Sequence, residues 1–257
     1  MAQSDYLTFN SAIGRQKPQN MHNRTIKCPF CDRKNLTDII AEEWPLLLLK
    51  NKYPVLEDTY QTVLIETDVC DDELSNYSPD HLHRLFRFGV KHWLAMEDSG
   101  EFASVLFYKN HGPYSGGTIT HPHMQIVGLK YLDYRQQLDP RHLTGPVVAN
   151  RPGVEFNVSD RPRVGFFEFN IILTDRDRLD TMADYIQTAV HYTLNGFHKS
   201  CTSYNIFFYH LADCLAVKVM PRFVTSPLFV GFSIPQVSNR NDAVIREIRE
   251  KYFAPAE

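Results

Sequence analysis

Hydrophobic positions change period several times along the chain, and each change marks an element. The run Leu46-Leu47-Leu48-Leu49 is apolar at every position, as expected for a strand buried on both faces, and Asn51-Lys52-Tyr53-Pro54 then turns the chain. Gln61 to Ile65 reads as a second strand. Ser78-Pro79 supplies an N-cap and a first-turn proline, and Leu82, Leu85, Phe86, Val90 and Trp93 then recur at helical spacing, predicting a helix with that stripe in the core. Phe102 to Tyr108 returns to strand and runs into a loop of turn formers, Asn110 to Thr118, followed by a strand that includes Ile126-Val127. From residue 154 the same order recurs coarsely: strands Val154–Val158 and Gly165–Leu173, a helix over Leu179–Phe197, strands Ser203–Tyr209 and Ala216–Val219. The predicted division is into residues 1–135 and 136–257.

Composition narrows the function. The chain has 257 residues, is 43% hydrophobic and 22% charged, and carries a net charge of −3. That is an ordinary folded composition, and its sign argues against a nucleic-acid surface. The longest apolar runs are too short to span a bilayer, and no charged segment followed by an apolar stretch opens the chain. Five cysteines without a secretion signal point to a reducing, cytoplasmic setting, with thiols or metal ligands in place of disulfides.

The densest chemistry lies in His121-Pro122-His123-Met124-Gln125. Alternate residues of a strand share a face, so His121, His123 and Gln125 are expected on one side. The small-residue loop before them suits a phosphate. Cys28-Pro29-Phe30-Cys31 is a pair spaced to offer two thiolates to one tetrahedral ion, or else a redox pair, although the strand-then-helix setting of a thioredoxin motif is missing. Cys201 and Cys214 have no partner at ligand spacing, and His81, His83 and His92 lie on or near the first helix without any.

The run Asn110-x-Gly112-x-x-x-Gly116-x-Thr118-x-x-His121-Pro122-His123-x-Gln125 resembles the signature of the galactose-1-phosphate uridylyltransferase family, a nucleotidyltransferase branch of the histidine-triad superfamily, here of bacterial type. The resemblance implies an α+β fold of two histidine-triad-like repeats, with mainly antiparallel sheets flanked by helices and the second repeat degenerate. It makes His123 the nucleophile, with Gln125 beside it. It places Asn51, Asn110, Gly116, Gly117 and Thr118 against the substrate, and makes His121 a ligand of a structural zinc. Laid on the family's Glu-Ser-Pro-x-His, the stretch Glu66-Thr67-Asp68-Val69-Cys70 puts Cys70 at the histidine position, so the implied ligands are Cys28, Cys31, Cys70 and His121. Arg15 and Lys17, before Pro18, resemble a basic stretch that contacts phosphates. In the second repeat, Lys218-Val219-Met220-Pro221-Arg222-Phe223 is expected to mirror the catalytic strand without its histidines, and Lys218 and Arg222 are candidates for neutralising phosphate.

The chemistry so implied has two steps. His123 attacks the α-phosphorus of a nucleotide sugar or another nucleoside diphosphate or polyphosphate, and a sugar phosphate or phosphate then accepts the nucleotidyl group. Glutamine does no acid–base work at neutral pH, so Gln125 favours transfer over hydrolysis. In the family's hexose-contacting segment this chain has Pro227, Phe232 and Ser233 in place of Lys, Tyr and Glu, which removes the carboxylate for a sugar. Phosphorolysis or hydrolysis of dinucleoside polyphosphates or nucleotide sugars, and nucleotide binding without catalysis, are the alternatives. A homodimer is compatible with the resemblance; neither membrane nor nucleic acid is an expected partner.

Overall fold

A computed structural model describes residues 6–21, 23, 25–197 and 201–253. The chain divides into two compact units, Met1–Leu138 and Asp139–Glu257. The first opens with a one-turn helix, α1 (Ser11–Gly14), whose Ala12 and Ile13 N–H groups donate to the Asn10 side chain. Five strands follow: β1 (Ile39–Glu43), β2 (Leu46–Lys50), β3 (Thr59–Ile65), β4 (Ser104–His111) and β5 (His123–Leu129), with helix α2 (Pro79–Asp98) between β3 and β4. They pair antiparallel in the order β1-β2-β3-β5-β4.

The leucine run is buried throughout because β2 is covered on both sides. Leu47 and Leu49 form one cluster with Val63 and Ile65 of β3, and Phe30 and Leu36 of the cysteine-bearing segment pack on it. On the other face Leu48 pairs with Leu64, and α2 lies close by. A Cβ on Gly89 of α2 would stand 2.8 Å from Phe107 Cζ and 3.2 Å from Leu64 Cδ2. The helix starts where its signals place it: the Ser78 hydroxyl accepts from the His81 N–H, and Pro79 occupies the first turn. Its five predicted core residues are all buried, and the Trp93 indole N–H donates to the Val105 carbonyl at 2.9 Å.

The second unit comprises β6 (Val147–Arg151), β7 (Val154–Val158), a short β8 (Gly165–Phe166), β9 (Phe169–Leu173), α3 (Leu179–Tyr192), β10 (Tyr204–His210), β11 (Leu215–Pro221), α4 (Pro227–Phe232), β12 (Gln236–Val237) and α5 (Asn241–Tyr252). Its main strands run β6-β7-β9-β11-β10, and β8 pairs in parallel with β12. Hairpin, third strand, helix, then a closing pair with the fifth strand inside the fourth is the order of the first unit too. The fold is therefore the expected α+β, mainly antiparallel, with a repeated topology.

Three details differ from the sequence reading. The strand over 165–173 is broken, because Glu168 turns inward and its carboxylate accepts the Arg163 and Val164 N–H groups at 2.8 Å each. Helix α3 ends at Tyr192, and a wider π turn continues over Thr193–Phe197. The strand end that corresponds to His123 is Leu215, upstream of the Lys218 stretch, since Leu215 faces the last residue of β9 as His123 faces the last residue of β3. Lys218 itself is buried, paired with Glu168 at 2.8 Å and donating to the His142 carbonyl at 2.7 Å. Arg222 donates to Asn205 Oδ1 at 2.9 Å. Lys218 thus serves the interior of this unit, with no exposed surface from which to neutralise phosphate, whereas Arg222 is half-buried.

The close approach of α2 gives the first prediction. Gly89→Leu forces Phe107 and Leu64 aside and should cost about 1–3 kcal/mol through overpacking. Chemical denaturation would read this directly; an unchanged midpoint would mean that the helix does not sit this near the sheet.

Candidate active site and metal centre

The cysteine knuckle is pinned by its own apolar residues. Phe30, between Cys28 and Cys31, and Leu36 lie on the β2–β3 face, while the Cys31 N–H donates to the Cys28 carbonyl at 3.4 Å. This brings two thiols to the end of the sheet where β3 leads into Cys70 and where His121 precedes β5. The sulfurs of Cys28 and Cys31 stand 3.6 and 3.5 Å from His121 Nδ1. The ligating atoms of Cys28, Cys31, Cys70 and His121 all lie within 4.8 Å of one another.

The hydrogen bond at the far side of the ring fixes its tautomer. His121 Nε2 is 2.8 Å from the Thr67 carbonyl, which can only accept, so Nε2 carries the proton and Nδ1 turns a lone pair to the sulfurs. Burial, above all, raises the Cys28 and Cys70 thiols and lowers His121. Three sulfurs and one imidazole nitrogen fit a tetrahedral ion such as zinc and leave no open position.

His121 does not share a face with His123 and Gln125, as strand alternation alone predicts. Strand β5 begins at His123, and Pro122 has no N–H to extend the ladder. Freed from the strand, His121 turns to the thiols. His123 and Gln125 do share a face. Both line a cavity of about 240 Å³, together with Lys17, Pro29, Phe30, Asp38 and Asn51 among others. His123 Nδ1 is 2.8 Å from the His121 carbonyl, so Nδ1 is protonated by the same reasoning and Nε2 holds the lone pair. Burial is the main cause that pushes its pKa down to about 3, with the charges of Lys109 and Lys17 adding to it. The imidazole is neutral at physiological pH.

Of the other expected residues, Asn51 lines the cavity and also caps its turn, its side-chain carbonyl accepting from the Tyr53 N–H at 2.9 Å. Lys17 lines the cavity and Arg15 is not part of the lining. Asn110, Gly116, Gly117 and Thr118 lie outside the lining as well, although their loop delivers Ile119 to it. The Gly117 N–H donates to the Ser115 hydroxyl at 3.2 Å. Gly116 has φ +84°, a conformation that side chains rarely adopt. The Thr118 hydroxyl is buried without a hydrogen-bond partner and does not reach the cavity.

Several residues at the site carried no sequence signal. Lys109 of β4 is buried and ion-paired with the buried Glu66, whose other oxygen accepts from the Tyr77 hydroxyl at 3.0 Å. Phe30 meets the rings of His121 and His123 edge-on, with centroids 6.0 and 5.3 Å away. Its place inside the cysteine pair was the one clue available. Asp38, Lys50, Lys52 and Tyr53 complete the polar wall of the cavity.

Comparison with known proteins agrees with this architecture. Residues 9–132 match the N-terminal domain, and residues 135–253 the C-terminal domain, of a domain of unknown function, DUF4931. A DUF4931 family protein from Bacillus cereus is 48% identical, with a TM-score of 0.78 over 84% of this chain and 100% of that one. Two proteins of Arabidopsis thaliana share the fold at low identity. An ADP-glucose phosphorylase, solved with ADP-glucose, is 14% identical with a TM-score of 0.72, covering 96% of this chain and 95% of its own. A GalT-like protein is 15% identical with a TM-score of 0.70, covering 88% and 93%. A di-/tripeptide transporter of Lactobacillus helveticus is 31% identical over 90 residues, which is 35% of this chain and 18% of the transporter. The match thus spans less than a fifth of that curated relative. Among the described residues, no helix is long and apolar enough to cross a membrane.

The buried ion pair behind the histidines yields a stability prediction. Lys109→Met leaves Glu66 charged and buried with only Tyr77 beside it, and should destabilise by about 3–5 kcal/mol. The double variant Lys109→Met/Glu66→Gln should recover part of that loss in urea titrations, and failure to recover any would mean that the pair is not coupled.

Proposed function

The chain belongs to the DUF4931 family, and from the geometry of its candidate site we propose that it is a nucleotidyltransferase working through a nucleotidyl-His123 intermediate. One observation carries this reading. The His121 carbonyl, 2.8 Å from His123 Nδ1, holds the imidazole in the tautomer whose Nε2 lone pair is free, on the wall of a cavity of about 240 Å³.

In the first step Nε2 attacks the α-phosphorus of a nucleoside diphosphate compound, such as a nucleotide sugar or a dinucleoside polyphosphate. The N–P bond forms, the bond from α-phosphorus to the bridging oxygen breaks, and the distal phosphate-bearing group leaves. In the second step a phosphate oxygen of the acceptor, a sugar phosphate or inorganic phosphate, attacks the same phosphorus and releases the imidazole. The Nδ1–H bond to the His121 carbonyl stabilises the positive charge that develops on the ring. Lys17 balances negative charge in the cavity and Gln125 donates an amide N–H. Gln125 supplies no proton transfer, which favours a phosphate acceptor over water.

Cys28, Cys31, Cys70 and His121 would hold a structural zinc, whose role is to tie the knuckle to the loop that carries both histidines. The hexose is not assigned to the stretch Pro227–Ser233. It forms the short helix α4 and its C-cap, with Val230 and Phe232 exposed.

Intact-protein mass spectrometry after incubation with UDP- and ADP-sugars and dinucleoside polyphosphates should show a nucleotidyl-sized gain that His123→Ala abolishes. Bound nucleotide without any gain, across the panel and under rapid quench, would count against the covalent mechanism. Purified protein should carry about one equivalent of zinc, and Cys70→Ser should lose most of it to a chelator that leaves the wild type loaded.

A further inference from the structure

Arg33 opens the 3₁₀ turn Arg33–Asn35 directly after the cysteine knuckle. Its guanidinium reaches two backbone carbonyls on different segments. Nη1 donates to Pro45 at 3.0 Å, in the connection between β1 and β2, and Nη2 donates to Thr67. The Thr67 carbonyl is the same one that accepts from His121 Nε2 at 2.8 Å. Trp44 lies under the guanidinium, its ring centroid 5.5 Å from the central carbon. The third donor, Nε, is buried and has no hydrogen-bond partner. The negative groups that act on this guanidinium are Asp68, Glu42 and the Cys31 sulfur.

The charge of the donor set makes this placement meaningful. Three thiolates and a neutral imidazole around a divalent ion sum to one net negative charge, and Arg33 adds a positive charge beside it that Asp68 and Glu42 share. An uncompensated charge there would stand beside a cavity meant for phosphates, with Phe30 in contact with both histidine rings.

We propose that Arg33 is the positioning residue of the metal centre, clamping the Thr67 carbonyl that orients His121 and setting a positive charge next to the cysteine knuckle. This rests on the zinc reading above. The guanidinium performs both tasks together because it is planar, always charged and able to bridge two carbonyls, whereas lysine could supply only the charge.

The test is zinc affinity by competition with a chromophoric chelator, for wild type, Arg33→Lys and Arg33→Met, beside the visible spectra of the cobalt-loaded proteins. Removal of an outer-shell partner of this kind weakens metal binding by about 10- to 100-fold, and that is the expectation for Arg33→Met. Arg33→Lys should fall between Arg33→Met and the wild type. The sulfur-to-cobalt charge-transfer band should move to lower energy in Arg33→Met and stay near its place in Arg33→Lys, a readout that a purely structural role would not shift. If Arg33→Met does not fold, Arg33→Lys decides alone: weaker binding with an unmoved band supports the assignment. Affinities within twofold of the wild type would overturn it. Wild-type protein that takes up neither zinc nor cobalt would instead remove the metal reading itself.

Discussion

The candidate site depends on the one-way character of the backbone carbonyl. An imidazole can present either nitrogen, and nothing in its own chemistry selects between them. Here two carbonyl oxygens make the selection, in opposite senses. Thr67 takes the Nε2 proton of His121 and leaves Nδ1 facing the sulfurs, while the carbonyl of His121 takes the Nδ1 proton of His123 and leaves Nε2 on the cavity. Two histidines one residue apart are thereby assigned different chemistry. One is a candidate ligand and the other a candidate nucleophile, although they carry the same side chain and both are buried.

Holding those carbonyls still is the work of the sheet and what lies against it. Strand β3 ends at Ile65, opposite His123, and delivers Glu66 and Thr67 immediately afterwards. Glu66 is fixed by Lys109 and Tyr77, and Thr67 by Arg33 and His121. Behind them, the consecutive leucines of β2 are all buried, with Phe30 and Leu36 packed on the face that carries Leu47 and Leu49, so the strand has little room to shift. The second unit repeats the strand order but directs its buried polar groups inward. Lys218 and Glu168 form one pair there, and Asn170 donates to Asn157 at 2.8 Å.

Much of this was readable from sequence wherever a local rule applied. Helix α2 announced itself through Ser78, Pro79 and a regular stripe, and Cys28 and Cys31 through their spacing, while His121 as a ligand followed from the resemblance. Cys70 could be placed only by resemblance, since nothing about an isolated cysteine after a strand marks it as a ligand. Properties set by long-range contact stayed hidden. Lys109 sits in a strand like any surface lysine, and only Glu66, 43 positions away in sequence, explains its burial. Arg33 drew no reading from sequence, because the carbonyls it reaches belong to chain segments distant in sequence. Hairpin β1–β2 was half seen, since Ile39 and Ile40 are exposed and give no buried pattern. The divergence of His121 from His123 escaped the period-two rule because that rule holds only inside a ladder, and the ladder stops at Pro122.

Pro122 joins the two histidines, and its ring locks one of the torsions between them. The peptide group of His121 is therefore a short rigid lever, with a ring seated among sulfurs at one end and an acceptor oxygen at the other. Any looseness in how that ring is seated is passed on as an angular error in the oxygen, and the oxygen decides which nitrogen of His123 is basic. A torsion angle at one residue is in this way converted into the reactivity of another, without any side chain of the first touching the substrate.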